Sequence, residues 1–267
     1  MFLLLLRQAL ERIGWKHINM NNYITIISII GGRYLTVAGI FFLIFYVLFK
    51  NKFLRKKIQQ KFPGNKDILR EIFYSAITVL IFGFVPAIFL FNKEVSQYTL
   101  LYKNIDEKGM AYFLGAFPIM LFIHDTYFYW MHRLMHHKKL FKYFHLVHHQ
   151  STNPSPWAAY AFHPLEAVIE ASILIVFLFI MPMHRLHFFF FFMFMIIYNV
   201  YGHLGWELYP KRFHKSWIGR WINTSVAHNQ HHQFFKGNYS LYFLFWDRWM
   251  GTLREDYEKQ FEEVKAK

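Results

Sequence analysis

Three short stretches of this 267-residue chain gather imidazoles at spacings that suit chemistry. HRLMH places His132 and His136 four apart; HLVHH brings together His145, His148 and His149; HNQHH brings together His228, His231 and His232. On a helix, residues three or four apart share a face, so each stretch is expected to present two or three imidazoles in one direction. Imidazole suits iron, copper, nickel or zinc. Clustered imidazoles repel one another once protonated, so something must compensate them. A metal does this, and eight ring systems exceed what one ion needs. Two ions sharing nitrogen ligands would use them. The Glu-x-x-His pairing of soluble di-iron bundles does not occur here, which leaves a site built wholly or nearly wholly of nitrogen and favours iron in an oxidative role.

The absence of Cys narrows the choice. It excludes disulfides, thiolate-ligated haem, iron–sulfur clusters and cysteine zinc sites together. Other residues stand near the clusters. His203 ends an otherwise apolar run and is a candidate for a further ligand. His124 lies two helical turns before His132, and Asp125 beside it could accept an imidazole N–H. His163 opens the stretch HPLE, where a helix N-terminal role and a metal role compete. His137, five residues after His132, is a reserve ligand. His17, His184, His187 and His214 read as ordinary hydrogen-bonded histidines.

The elements that must position these groups are apolar. Hydrophobic residues make up 55% of the chain and aromatics 22%, with 33 Phe, well beyond a soluble domain. The patterning predicts an all-α integral membrane protein with four to five membrane segments, near 34–49, 72–91, 110–123, 165–181 and 186–202. Arg33 would sit awkwardly in the first of these if the helix began much earlier. The last two segments could instead form a re-entrant hairpin. The opening MFLLLL is too short for a signal peptide and reads as interfacial. The net charge of +14 comes from basic residues at the ends of apolar runs, which suits lipid headgroups. No aromatic-interleaved basic stripe points to nucleic acid. The Lys and Arg excess alternates between loops, placing every His cluster and the C-terminus on the cytoplasmic side as a helical cap.

HDTYFYWMHRLMHH, FHLVHHQS, AFHPLE and HNQHHQFFKGNYSLYFLFWDRWMGT, in that order, resemble the fatty acid hydroxylase/sterol desaturase superfamily from His124 to Thr252. The resemblance implies a membrane oxygenase with a di-iron centre, ligated by His132, His136, His145, His148, His149, His228, His231 and His232. His203 matches the extra histidine before the last box. Trp246-Asp247-Arg248 and Gly251-Thr252 match a signature expected to pack over the third box. The spacing of His132 to His136 is that of this superfamily; His132 to His137 has the acyl-CoA desaturase spacing. On this reading residues 1–123 anchor the chain, 124–252 form the catalytic region and 253–267 a polar tail. The implied reaction hydroxylates or desaturates a C–H bond of a lipid (sterol, fatty acyl or related) with dioxygen. No flavin or nucleotide fingerprint and no haem domain is present, so electrons must come from a cytochrome b5-like or ferredoxin-type partner. The competing reading is a His-rich metal-binding or metal-transport protein, which would set its ligands along the spans at mid-membrane depth. A zinc hydrolase would want HExxH, which is absent.

Overall fold

The computed structural model describes residues 19–267; the MFLLLL stretch and His17 lie outside the described residues. Helix α1, Met20–Phe42, starts where the Asn19 side chain accepts the N–H groups of Asn21 and Asn22. It continues as a π-helix to Leu48, just before the basic segment that opens with Lys50. Helix α2, Asn65–Phe89, follows Pro63 and Gly64, and the Asp67 carboxylate accepts the Gly64 N–H at its start. A two-residue strand β1, Leu101–Tyr102, precedes α3, Met110–Met135. Then come α4, Leu146–His149; α5, Pro164–Ala171; and α6, Ile173–Ile180. Strand β2, Met183–His184, pairs in parallel with β1. Helix α7, Arg185–Gly202, is followed by α8, Ser225–Phe234; α9, Phe245–Trp249; and α10, Tyr257–Ala266. Helix accounts for 69% of the described residues and strand for 3%, which answers the all-α expectation.

Among the described residues, three helices are long and apolar enough to cross a membrane: Met20–Leu48, Asn65–Phe89 and Arg185–Gly202. Their outward faces expose Ile29, Leu35, Phe73, Leu80 and Phe189, as a lipid-facing surface does. The expected segment at 110–123 is the first part of the continuous α3, whose apolar stretch rises roughly 21 Å before His124 and Asp125 interrupt it. The expected segment at 165–181 is broken at Ser172 into α5 and α6, each rising only about 12 Å. The first span also differs from expectation. It begins at Met20, so Arg33 lies midway along it, where its guanidinium sits over the Phe192 ring of α7, 5.5 Å from the centroid.

The core against the site is made by Ala38 on α1, Ala159 and Tyr160 on the connection before α5, Ile196 and Val200 on α7, and Tyr242. The polar tail is an element too. α10 is amphipathic and buries Tyr257, Phe261 and Val264 against Ile58, Val226, Ala227 and Leu244, bracing the start of α8.

Candidate metal centre

Four elements carry the imidazoles to one place. α3 outlasts its apolar stretch and ends in His132 and its C-cap, His136. His145 and α4 follow after a turn and the short helix Phe141–Phe144. His203 is the C-cap of α7, with its Nδ1 held 2.8 Å from the Asn199 carbonyl. α8 is started by Thr224, whose hydroxyl accepts the Ala227 N–H, and by buried Glu207, which accepts the Val226 N–H. Every residue from Ser225 to His232 is buried, an arrangement that sequence polarity alone would not assign to this helix.

The nine histidines converge in two groups. His132, His136, His145, His149 and His231 form one, and His148, His203, His228 and His232 the other, with ligand atoms in each group within 4.8 Å of one another. In the first group the Nε2 atoms of His132 and His145 are 2.8 Å apart, and those of His149 and His231 2.9 Å apart. In the second, His203 Nε2 lies 3.0 Å from His228 Nε2 and 3.1 Å from His232 Nε2. The groups adjoin: the rings of His148 and His232 pack against His145 and His149, with His149 and His232 centroids 5.1 Å apart.

The partition corrects the expectation that each stretch faces one way. Pairs four apart stay together: His132 with His136, His145 with His149, His228 with His232. The third member of each HxxHH stretch, His148 or His231, goes to the other group. Adjacent residues on a helix diverge by about 100°, so neighbouring histidines serve different groups.

The far sides of the rings decide what the near sides can do. His132 Nδ1 is 2.8 Å from the Tyr239 carbonyl, His231 Nδ1 2.7 Å from the Gly237 carbonyl, and His145 Nδ1 2.6 Å from Glu166 Oε1. The two carbonyls can only accept, so Nδ1 of His132 and of His231 carries the hydrogen and Nε2 presents a lone pair inward; His145 does the same when Glu166 is ionised, as it would be beside a bound cation. Burial, reinforced by the neighbouring imidazoles, holds His145, His148, His149, His228, His231 and His232 well below the ordinary imidazole range. His203 is pushed down to about 4 by burial. Neutral rings with facing lone pairs at these distances repel unless a cation lies between them. The donor set therefore fits a metal in each group.

The remaining candidates lie elsewhere. Asp125 accepts no imidazole hydrogen; its Oδ1 takes the backbone N–H groups of Leu241, Tyr242 and Phe243, because the 241–243 segment crosses α3 at that turn. Glu166 has the role expected of Asp125. His124 is buried with its Nδ1 2.9 Å from the Tyr242 hydroxyl and belongs to neither group. His137 is exposed, and His163 caps α5 by accepting the Leu165 N–H. His184 likewise caps α7, and the His187 ring bonds the Phe113 carbonyl.

The roles of two carboxylates emerge only from the structure. Glu166 orients His145. Asp247 accepts the N–H groups of Tyr239 and Ser240 and the Thr252 hydroxyl, fixing the loop whose Tyr239 carbonyl orients His132. The Asp of the WDR signature thus works through that loop. An apolar cavity of ≈ 400 Å³ reaches from His148, His203 and His228 between α1, α2 and α7 to Leu90 and Phe189.

A family model, fatty acid hydroxylase, matches residues 117–252, just over half of the chain and all nine converging histidines. The chain belongs to the fatty acid hydroxylase family. Relatives of this family member include a Delta(7)-sterol 5(6)-desaturase of Gibberella zeae, 30% identical over 203 residues, 76% of this chain and 58% of the relative. Lathosterol oxidase of Rattus norvegicus is 29% identical over 192 residues, 71% of this chain and 62% of the relative. A Delta(7)-sterol 5(6)-desaturase of Aspergillus fumigatus is 27% identical over 262 residues, 90% and 79% of the two chains. The chain spans about three-fifths of the length of the first two relatives. No solved structure matches it.

Proposed function

We propose that this protein is a membrane-bound lipid oxygenase that holds one iron ion in each histidine group and oxidises a C–H bond of a sterol or related lipid, with dioxygen and external electrons. The observation that carries the reading is the convergence of nine neutral imidazoles, eight of them buried and His136 half-buried, at the end of an apolar cavity. Bound iron supplies the activation of dioxygen. The chain supplies the rest: Glu166 and the Tyr239 and Gly237 carbonyls fix the tautomers of His145, His132 and His231. The cavity excludes water and offers the reacting carbon to the side where His148, His203 and His228 line its wall. Desaturation is favoured over hydroxylation because the relatives named above are sterol desaturases and a lathosterol oxidase.

The membrane reading extends the three apolar helices. α3 and the broken pair α5–α6 enter the bilayer beside them, and the basic residues at the His-bearing end put the site and the C-terminus on the cytoplasmic face. An electron carrier of the cytochrome b5 or ferredoxin type reaches it there. A metal-transport role is disfavoured, since the clusters lie beyond the apolar spans and a mostly apolar cavity leads to them.

Metal analysis of purified protein tests the centre. About two irons per chain are expected, with His148→Ala and His231→Ala each depleting the group it belongs to. Unchanged metal content in both variants would sink the reading. Lipid profiling of a deletion strain identifies the substrate, and altered metal levels with unchanged lipids would favour transport instead.

A further inference from the structure

Arg33 is a charged residue midway along a span, and its side chain lines the apolar cavity. Its Nε is buried without a hydrogen-bond partner. No ion pair among the described residues involves it, although Glu166 and Glu170 line the same cavity. The Tyr160 hydroxyl, on a different element but the same cavity wall, is buried beside the Arg33 guanidinium without a well-formed hydrogen bond to it, on a residue only 1% exposed. An unmet buried polar atom costs roughly 1–3 kcal/mol, so two of them at one cavity call for an explanation.

Both side chains are held in place. The guanidinium rests over the Phe192 ring, and the Tyr160 ring stacks on Tyr34 at 5.0 Å. The Tyr34 hydroxyl is itself spent on the Trp157 carbonyl, 2.8 Å away. The pair is therefore fixed in space and free only toward the cavity. From Tyr160 the wall continues through Phe162, centroids 6.3 Å apart, to His148, another 5.1 Å on.

We infer that Arg33 and Tyr160 form the point in the cavity that receives the hydroxyl oxygen of the lipid substrate and so set which carbon faces the histidines. Arg33 donates to the oxygen, and Tyr160 donates to it or accepts its hydrogen. Two ring contacts separate this point from His148. A sterol suits such an arrangement, because its fused rings fix the distance between hydroxyl and reacting carbon; a flexible chain does not. The inference rests on the oxygenase reading for the words substrate and reacting carbon, but the binding point does not depend on turnover.

Equilibrium binding to the purified, metal-loaded protein in nanodiscs tests it, with lathosterol and its methyl ether as probes. The wild type is expected to prefer the free alcohol by about tenfold. Arg33→Met and Tyr160→Phe should each bring the preference to within about twofold while leaving affinity for the ether unchanged, and Arg33→Lys should restore part of it. Tyr160→Phe keeps the ring packing, so it carries the test if Arg33→Met fails to fold, and metal content reports folding. A wild type with no preference, or a folded variant that keeps it, overturns the inference. Selective binding without any oxidised product overturns the oxygenase reading and leaves this one standing.

Discussion

The two histidine groups differ in how they are held. In the five-membered group, three rings are anchored through Nδ1: His132 and His231 on carbonyls of the 237–239 loop, and His145 on the Glu166 carboxylate. In the four-membered group only His203 has so close an anchor, the Asn199 carbonyl; Nδ1 of His148, near the Ala161 backbone, and of His232 is buried and makes no well-formed hydrogen bond, a state that His149 alone shares in the larger group. Exposure to the cavity runs the other way. Three of the four rings in the smaller group line it, against His145 alone in the larger. One group is braced and closed; the other has fewer donors, is looser and faces the space a substrate would fill. The contrast parallels that between metal sites that are saturated by protein ligands and those that keep an open position.

The brace should be the easiest part to break. Asp247→Asn puts an amide N–H₂ beside N–H groups that now meet a carboxylate, within a buried site. A loss of about 2–4 kcal/mol is expected, with the 237–239 loop released. Iron content should fall by about half, because the braced group loses the anchors of His132 and His231 while the cavity-facing group keeps His203. Thermal unfolding and metal analysis measure both. Equal loss from the two groups would mean that they are one unit and that the distinction has no physical content.

Glu166→Gln sharpens the same contrast with a milder change. An amide oxygen can still accept the His145 Nδ1 hydrogen, but the negative charge that strengthens the ring as a donor is gone. Iron affinity of the braced group should drop by roughly 10- to 100-fold, with the fold intact and the other group unaffected. Titration with a chelator separates the two. A uniform fall across both ions would show that the carboxylate acts through the general field of the cavity.

How far these differences could be read from the sequence follows from what periodicity encodes. Spacing picked out eight of the nine converging histidines, and His203 stood out as a polar residue ending an apolar run. The apolar runs likewise marked the helices that carry them. The assignment of His148 and His231 away from their own stretches was not legible, because it depends on how α4 and α8 are rotated about their axes. Asp125 and Glu166 show the same limit. Each is a carboxylate within three residues of an imidazole in sequence, and only the packing of the chain, with the 241–243 segment crossing α3 at Asp125, decides which of them reaches a ring. Arg33 was misjudged for a related reason: a charge in a span is costly against lipid, but it is tolerable on a cavity wall.

The smallest expected effect tests the looseness of the cavity-facing group directly. A Cβ added at Gly202, the last residue of α7, would meet His228 Cδ2 at 3.3 Å. That is a few tenths of an ångström too close, so the imidazole must yield or the helix end must move. Gly-to-Ala replacement in a helix gains up to about 1 kcal/mol in propensity, offsetting the strain. Gly202→Ala is therefore expected to change overall stability by no more than about 1 kcal/mol. Iron binding by the group of His148, His203, His228 and His232 should weaken a few-fold, since the added methyl displaces a ring that no anchor described above returns to place. The braced group, which the methyl does not touch, should be unchanged. If instead the variant binds both irons like the wild type, the His228 ring has room to spare. The smaller group would then be loose in the strong sense, able to take up displacement without losing its metal, and the openness toward the cavity would be a property of its packing as well as of its donor count.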